Sequence, residues 1–458
     1  MAEPSRPEGK RIVVSDPAKE ESRKPEPRKL KFCPPLLSRR TLLAYASEIP
    51  LKKSDSTTDR ALRNVFALGF VSFFTDVSSE MVFSLLPAFI LGLPGGTRTV
   101  LGMIEGVAEA LSYSLRAVSG LFSDKFRKRK AIVLVGYAFS NIVKPLFAVA
   151  QTAFDAFVIR VLDRVGKAVR TAPRDALLSE SVSEKRRGAA FGLHRTLDQT
   201  GAVLGPLIAS GSMLLLGLTI RDVFWLSFIP GCAALFILLF LVQERVGKPA
   251  GEYKLLSGVK MVFRGSFPLL LLVVGVFSLG AFNFSFVLLN AKEVGALDAY
   301  IPLFYAAINI SHTAIAIPAG LLSDRIGKER VLLLGYGTFL ATALQLLLFP
   351  KDVFFALLIA LVFGVYMGVV ETVQRALIPR YAESELRGTA YGLYYLVVGS
   401  CFLVSNSVVG ALWDTFGSPA AATYSAVLSS MAIVGMLFFL SRQKGKISWT
   451  ENTAYGKI

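Results

Sequence analysis

The sequence predicts an all-α membrane protein with twelve transmembrane helices in two pseudo-symmetric six-helix bundles. Three observations lead to this prediction. Of the 458 residues, 53% are apolar and only 18% are charged, and the mean hydropathy is +0.54, which is too apolar for a soluble globular protein. Apolar stretches of about 20 residues, each long enough to cross a hydrocarbon core of about 30 Å, recur along the chain. Two sequence patterns also repeat at one common offset.

The charge composition agrees with a membrane protein and argues against nucleic-acid binding. Lys and Arg number 50 against 33 acidic residues, and the sequence pI is about 9.8. Nucleic-acid binding requires basic side chains on a soluble domain with exposed aromatics, whereas the aromatic residues here lie within apolar stretches. We therefore expect a lipid bilayer around the protein and no nucleic-acid partner. With 3 scattered cysteines and 2 histidines, we expect no metal site and no cofactor.

The chain begins with a polar segment before the first apolar stretch. Residues 1–60 contain 8 of the 21 prolines, together with 14 basic and 9 acidic residues. This composition is typical of a disordered basic tail, and no apolar core of a signal peptide is present in it. We expect a solvated extension, the alternative being a segment that tethers to the membrane surface or binds a partner.

Twelve apolar spans follow the tail. They lie at 61–91, 99–122, 130–150, 153–179, 187–217, 222–245, 267–291, 298–322, 329–349, 352–380, 387–413 and 418–441. The longest polar interval separates the sixth span from the seventh. We therefore predict an N-terminal six-helix bundle, a cytoplasmic linker, a C-terminal six-helix bundle and a cytoplasmic tail, at 61–245, 246–266, 267–441 and 442–458.

The basic residues of the loops predict the orientation. Clusters of Lys and Arg occur in the N-terminal tail, at 125–130, at 183–187, in the linker and at 324–330. The intervening loops carry only Arg98, Arg221, Lys292 and Lys351. By the positive-inside rule, both termini are cytoplasmic in a multi-pass protein of the cell membrane. We expect the protein to be a monomer.

An internal repeat divides the spans into two halves. The segment GLFSDKFRKRK begins at Gly120, and GLLSDRIGKER begins at Gly320. A second pattern, Arg-Gly-x-Ala-aromatic-Gly-Leu, begins at Arg187 and again at Arg387. Two independent matches at the same offset indicate two homologous halves, an arrangement in which transporters bind a solute near the midplane and rock one half against the other.

The first repeated segment resembles the loop signature of the major facilitator superfamily, G-x-x-x-D-[RK]-x-G-[RK]-x-[RK], which follows helices 2 and 8 in that family. The second copy matches well, whereas the first has Arg127 where the family usually has glycine. The strings TDVSSEM at 75–81 and GKAVRTAPRDALL at 166–178 are similar to a prokaryotic branch of the superfamily. The resemblance covers about residues 61–441 and implies the major facilitator fold and a transport function.

The resemblance also implies a cytoplasmic gate at the two signature loops. In the family, the aspartate of each loop faces the N-terminus of a helix from the other half, where the helix dipole favours an anion. The alternative is a basic anchor that only sets the topology. The gate residues expected on this basis are Gly120, Asp124, Gly320, Asp324, Arg325 and Gly327.

The fourth span carries charges that cannot face lipid. Seven charged side chains project within an arc of about 140°, and a charge at a helix centre costs about 2.5–3.5 kcal/mol even on a mild insertion scale. The stripe must therefore face the bundle interior or water, although its outermost pair, Arg174 and Asp175, can reach the cytoplasmic boundary. Together with polar residues of helices 5 and 8, we assign to the solute cavity Arg160, Asp163, Arg164, Lys167, Arg170, His194, Asp198, Asn309 and His312.

Acidic residues on neighbouring spans supply the opposite charge. Asp76 and Glu80 lie one helical turn apart on helix 1, and Glu105 and Glu109 lie one turn apart on helix 2. One interpretation is structural pairing with the cations of helix 4. The other makes one or two of these four acids the proton carrier, because a carboxylate that alternates between an apolar setting and a cation loads and releases a proton.

Two further patterns bear on the function. Gly201, Gly205 and Pro206 resemble the G-x-x-x-G-P-x-x-G-G motif that is associated with antiporters in the family, and the alternative is ordinary packing of small residues. In the second half, Glu371 and Arg375 are spaced for a structural bridge within one helix.

The leading functional hypothesis is a secondary active transporter of a small organic solute, with proton-coupled antiport and export. The alternative is an uncoupled facilitator or exchanger of an organic anion, in which the helix 4 cations bind the substrate. A receptor or scaffold would leave the buried charges unexplained. An enzyme is the least supported class because no nucleophile–base pair or metal cluster is evident, and no GxxxxGK[ST] loop for ATP is present.

Overall fold

The computed structural model describes residues 56–126, 129–183, 187–244, 265–381 and 386–455. Within these ranges every regular element is a helix, and the predicted all-α fold is confirmed. Most of the predicted N-terminal tail and of the linker at 246–266 lies outside the described residues. The side chains of 116–126 also lie outside them.

Six transmembrane helices form the first bundle, and we number them in chain order. Three of them are interrupted or change their winding along their length. The bounds are Ser56–Phe83 with Leu86–Leu91 for α1, Arg98–Phe126 for α2, Arg129–Val143 with the 3₁₀ turn Lys144–Val149 for α3, Ala153–Ser181 for α4, Arg187–Leu216 for α5, and Ile220–Leu226 with Phe228–Phe240 for α6.

The second bundle repeats the first. The seventh helix of the chain is broken, and the eighth begins with a short 3₁₀ turn. The bounds are Phe267–Gly280 with Phe284–Glu293 for α7, Asp298–Tyr300 with Ile301–Ile326 for α8, Lys328–Leu348 for α9, Val353–Tyr381 for α10, Arg387–Phe416 for α11, and Ser418–Tyr455 for α12.

Ten of the described helices are long and apolar enough to cross a membrane by composition alone. The other two, α2 and α4, contain 29 residues each and are therefore about 43 Å long at 1.5 Å per residue. These are the two helices whose charges lower their hydropathy. The outer bounds differ from the apolar spans, because α1 begins at Ser56 and α12 continues to Tyr455. A helix need not end where its apolar stretch ends, since polar side chains can leave the hydrocarbon.

The helix bounds reproduce the internal repeat. α10 begins and ends 200 residues after α4, and α11 has the same relation to α5. The turns after α5 and α11 each use a glycine with positive φ, Gly217 at 66° and Gly417 at 82°, a conformation that favours glycine over residues with a Cβ atom. The two bundles thus share their loop geometry as well as their helix order.

Each bundle has an ion pair at the equivalent position, and the acidic and basic residues are exchanged between the two. Arg129 at the start of α3 pairs with Glu180 near the end of α4. In the second bundle, Glu329 at the start of α9 pairs with Arg380 at the end of α10, at 3.1 Å. The position that is basic in one half is acidic in the other, and each pair joins the same two helices of its bundle.

The two bundles contact each other mainly at one end of the molecule. We call this end the closed face; it carries the loops at 92–97, 150–152, 217–219, 294–297, 349–352 and 417. The opposite end, where α1 begins and α12 ends, is the terminal face. A Cβ atom on Gly102 of α2 would lie 2.0 Å from the carbonyl oxygen of Asn406 on α11. Glycine is needed there for the close approach of these two helices.

A lock of charged groups closes the α2–α11 contact. Asp414 of α11 accepts hydrogen bonds from the backbone N–H groups of Arg98 and Thr99, at 3.0 and 2.7 Å, at the end of α2 where the helix dipole favours an anion. The Arg98 guanidinium also pairs with Glu293 of α7 at 2.7 Å. This lock joins the first bundle to two helices of the second.

The contact between α5 and α8 ends before the terminal face. Ser210 of α5 donates to the carbonyl oxygen of Ala299, and Gln199 donates to the Thr313 hydroxyl at 3.0 Å. From Gln199 towards the terminal face, the exposed residues of α5 include 191, 192, 195 and 196. Most residues of α8 from 321 to 326 are also exposed. The bundles therefore separate towards the terminal face, which leaves a cavity between them.

The exchanged ion pairs predict a charge-reversal rescue. We expect Arg129→Glu to destabilise the protein by about 3 kcal/mol, because it leaves Glu180 beside a like charge in a largely buried position. Adding Glu180→Arg should restore most of the loss. The measurement is the unfolding temperature of the purified protein in detergent. The matched reversal, Glu329→Arg with Arg380→Glu, should have a smaller effect because Arg380 is half exposed. A double variant no more stable than Arg129→Glu alone would contradict the pairing.

The lock predicts that the closed face opens when its carboxylates are removed. Each partly exposed charged hydrogen bond contributes about 1 kcal/mol, so Asp414→Asn with Glu293→Gln should shift the population towards an open form about tenfold. Spin labels at 151 and 351, in the two bundles, would report a longer distance across this face. Asp298→Asn is the matched control, because Asp298 pairs with Lys292 in the same bundle at 2.9 Å. Equal distances in the lock variant and this control would refute the role of the lock.

Candidate functional site

The charged stripe of α4 faces the interior of the first bundle. Arg160 and Glu105 of α2 form an ion pair at 2.7 Å, and each side chain is 1% exposed. The Arg160 guanidinium also lies 3.9 Å from the centre of the Phe83 ring of α1, a favourable cation–π distance. Such a buried pair is costly to break because either charge alone would be left in a low-dielectric interior. It joins α2 to α4.

A second layer of charges lies one turn further along α4. Arg164 approaches Glu109 of α2 and its own helix neighbour Asp163, each at 3.6 Å. The other carboxylate oxygen of Asp163 accepts a hydrogen bond from the Ser140 hydroxyl of α3 at 2.5 Å. Arg170 is buried against the Tyr137 ring of α3, at 4.4 Å. Most of the stripe is thus matched by groups within the first bundle.

One buried cation was missed in the sequence interpretation. Lys144, where α3 changes to a 3₁₀ turn, is 0% exposed. Its ammonium group donates to the hydroxyls of Ser78 and Ser79 on α1, at 2.9 and 3.0 Å. A lysine directly before a proline within an apolar span was the available signal. These bonds join α3 to α1 within the first bundle.

Two carboxyl groups meet between α1 and α5. The side chains of Asp76 and Asp198 are within hydrogen-bond reach of each other, and Asp198 also pairs with Arg195 at 3.0 Å. Two carboxylates make such contact only when one of them carries a proton, because neither ionised group can donate. The pair is therefore a candidate site for holding a proton. It combines Asp76, expected as a proton carrier, with Asp198, expected only as a cavity residue.

The glycines of the α5 motif bring these carboxyl groups together. A Cβ atom on Gly201 would lie 2.4 Å from the carbonyl oxygen of Phe73, and one on Gly205 would lie 2.7 Å from that of Val77. Both contacts are with α1, and Pro206 lies within the continuous α5 helix. The small residues thus permit close packing of α1 on α5.

The second acid of α1 reaches the other bundle. Glu80 accepts a hydrogen bond from the Tyr305 hydroxyl of α8, and the Tyr305 ring stacks on Phe284 at the break of α7, with centroids 4.4 Å apart. Lys167 of α4 is half buried and interacts electrostatically with Asp76 and Glu80. It forms no ion pair with the side chains that the structure describes. It is therefore a candidate for binding an anionic group of a solute.

The remaining cavity candidates lie nearer the terminal face. His312 of α8 and Arg375 of α10 each lie 3.8 Å from Glu371, and Arg195 of α5 lies 4.0 Å from it. The amide of Asn309 donates to the carbonyl oxygen of Ala202 on α5 at 3.1 Å, which makes it part of the α5–α8 contact. His194 is buried, 5% exposed. The spacing of Glu371 and Arg375 predicted a bridge within α10. It could not predict that Arg195 of α5 and His312 of α8 also approach Glu371.

The two signature loops are described unequally. The side chains at Gly120 and Asp124 lie outside the described residues. In the second loop, Asp324 and Arg325 are exposed at the terminal face. Gly327 has φ of 97° and joins α8 to α9. In this open arrangement Asp324 has no described contact with a helix of the first bundle, so its part in a gate stays a prediction about the opposite state.

Comparisons with known proteins agree with this architecture. The sequence model of the Major Facilitator Superfamily matches residues 68–405 and 270–453. The chain is 32% identical over 404 residues to an uncharacterized MFS-type transporter of Methanocaldococcus jannaschii, covering 87% of this chain and all of that protein. It is 27% identical over 285 residues to the multidrug resistance protein MdtG of Dickeya zeae, covering 59% of this chain and 68% of that protein.

Solved structures of other transporters share this fold at low sequence identity. A variant of the nucleoside transporter NupG superposes with a TM-score of 0.71 at 11% identity, covering 82% of this chain and 99% of that one. Identity this low shows the fold alone. The match of the family model across both bundles and the long alignment to the archaeal relative carry further. The chain therefore belongs to the major facilitator superfamily of transporters.

Proposed function

We propose that this transporter exports a small organic solute across the cell membrane in exchange for protons. The observation that carries the proposal is the contact between the Asp76 and Asp198 carboxyl groups. The two acids lie in the first bundle beside the cavity, where a proton bound on one side of the membrane can be released on the other. The distant similarity to a protein named for multidrug resistance favours export.

The surroundings of the carboxyl pair supply the means of releasing its proton. Lys167 lies on one side of Asp76, and Arg195 pairs with Asp198 on the other. Arg195 also reaches Glu371 of the second bundle at 4.0 Å. When the bundles rock, the Arg195–Glu371 distance must change, and Arg195 can move towards or away from Asp198. A cation that approaches a carboxyl group favours its ionised form, which releases the proton.

The orientation of transport follows from the basic loops. With both termini in the cytoplasm, as the positive-inside rule predicts, the closed face is external and the described state is open to the cytoplasm. Alternating access then requires the lock of Arg98, Glu293 and Asp414 to open while the terminal face closes. The family resemblance implies that Asp324 contacts the opposite bundle in that second state.

A second candidate function is an uncoupled facilitator or exchanger of an organic anion. The specific observation in its favour is the half-buried side chain of Lys167, which forms no ion pair among the residues that the structure describes. Under this candidate the carboxyl pair would be structural. Transport would then need Lys167 and would not depend on a pH gradient.

Replacing the proton carrier should separate coupling from binding. Asp76→Asn should reduce transport driven by a pH gradient to the level of empty liposomes, because the amide cannot release a proton. It should spare substrate counterflow, which needs no net proton movement. The measurement is flux in proteoliposomes, with a substrate selected from a panel of organic cations, anions and zwitterions. Asp198→Asn should behave like Asp76→Asn. Asp352→Asn, on an exposed loop, is the matched control.

Lys167→Gln provides the contrast between the two candidates. It should impair both pH-driven flux and counterflow, because it removes a charge from the solute cavity and leaves its acidic neighbours uncompensated. Full pH-driven transport in Asp76→Asn and Asp198→Asn would refute the proton site. If Lys167→Gln alone abolished flux, and flux were independent of pH, the anion facilitator would replace the antiporter.

A further inference from the structure

Two guanidinium groups and one imidazole converge on one oxygen atom between the bundles. The atom is Oε2 of Glu371 on α10. Arg375 of the same helix and His312 of α8 approach it to 3.8 Å, and Arg195 of α5 approaches it to 4.0 Å. Two helices of the second bundle and one of the first thus aim nitrogen atoms at a single point in the cavity.

These three distances are longer than those of bonded ion pairs. Charge-assisted N–H···O bonds have lengths of about 2.7–2.9 Å, and Glu105 with Arg160 in the same protein reaches 2.7 Å. The two guanidinium groups therefore leave room for an anionic group of a solute to bind beside Glu371. Without an anion between them, the two guanidinium groups would repel each other. Glu371 supplies that anion in the described state.

The group is open to the cavity. The side chains of Arg195, Arg375 and Glu371 are 55%, 43% and 39% exposed, whereas the Arg160–Glu105 pair is 1% exposed on each side. A solute can therefore reach the two guanidinium groups and the Glu371 carboxylate from the cavity. Arg375 occupies the position in α10 that is equivalent to Asp175 in α4, and Asp175 lies near the terminal face. The site is therefore at the cavity mouth and not at mid-membrane depth.

Aromatic side chains flank the same site. Tyr113 of α2 and Tyr395 of α11 stack with ring centroids 5.6 Å apart and an interplanar angle of 22°, and both interact electrostatically with Arg375. Tyr391 lies beside Tyr395 at 6.2 Å. Stacked rings next to a guanidinium group suit a planar solute, because its ring gains contact with the tyrosines while its anionic group pairs with arginine.

We propose that Arg195, His312 and Arg375 form an oxyanion-binding site for the transported solute, and that Glu371 occupies it as an internal substitute when no solute is bound. The solute class is a planar aromatic carboxylate or a related oxyanion. Its carboxylate accepts hydrogen bonds from the two guanidinium groups, and Glu371 swings away into the water of the cavity. One anion replaces another, so the local net charge is unchanged. Because Arg195 and Arg375 belong to different bundles, the bound solute draws the bundles together at this end.

This inference rests on the proposed transport function and adds the substrate class. Exchange of an organic anion for a proton is also favourable energetically. Anion export and proton influx both move positive charge inward, and each charge contributes about 2.3 kcal/mol per 100 mV of membrane potential.

The test is binding of benzoate to the purified full-length protein in detergent, measured by calorimetry, with benzamide as the uncharged analogue. We expect benzoate to bind and benzamide not to bind. Glu371→Gln removes the internal competitor and should tighten benzoate binding about tenfold, and Arg375→Gln should weaken it about tenfold. Arg442→Gln, on α12 beside Phe438, is the matched control and should leave binding unchanged.

Several results would overturn the site. Benzoate binding that is no tighter in Glu371→Gln than in the wild type would show that Glu371 is not a competitor. Equal binding of benzoate and benzamide, or equal affinities in Arg375→Gln and Arg442→Gln, would show that no oxyanion site is formed. Where Glu371→Gln does not fold, Arg195→Gln in the presence of native Glu371 should weaken benzoate binding in the same way as Arg375→Gln.

The binding assay can fail separately from the proton coupling, although Arg195 takes part in both sites. It uses no pH gradient, so loss of benzoate binding with intact proton-coupled flux of another solute would refute this inference alone. Intact benzoate binding combined with pH-independent flux would refute the proton coupling and leave the oxyanion site standing.

Discussion

The cost of placing charge in hydrocarbon determines how the first bundle is built. α4 carries seven charged residues along one side, and each would cost about 2.5–3.5 kcal/mol at the centre of a lipid-facing helix. The fold avoids this cost by turning the stripe inward, where Glu105 and Glu109 of α2 and Ser140 of α3 meet it. The packing of α2, α3 and α4 therefore follows from one electrostatic constraint. The second bundle has no such stripe and is held mainly by apolar and aromatic contacts.

Other charged groups find their partners where the bundles meet. Glu80 bonds to Tyr305, Arg195 reaches Glu371, and the lock of Arg98 with Asp414 fastens the closed face. Each of these contacts joins one bundle to the other, so each must change when the bundles rock. The charges buried within the first bundle hold its shape, and the charges between the bundles respond to its movement. The proposed proton site lies between these two groups, with Asp76 in the first bundle and Asp198 paired with Arg195.

Much of the architecture could be predicted from the sequence, and most of the site geometry could not. Span length and the repeat from Gly120 to Gly320 were sufficient for the fold, because hydrocarbon thickness and chain symmetry act on the sequence directly. The inward direction of the α4 stripe was also predictable from its charge. The pairing of Asp76 with Asp198 was not, because it depends on the close packing of α1 against α5 and not on spacing within one helix. Lys144 was missed since its two partners are neutral serines, which give no charge pattern in the sequence.

The central claim is that one proton is held between Asp76 and Asp198. Infrared difference spectroscopy of the protein in lipid measures this directly, because a protonated carboxyl group has a carbonyl stretch that an ionised one lacks and that shifts in heavy water. The account predicts such a band at neutral pH in the wild type and in Asp352→Asn, and its loss in both Asp76→Asn and Asp198→Asn. A wild-type spectrum without the band, or an unchanged band in the two variants, would contradict the claim.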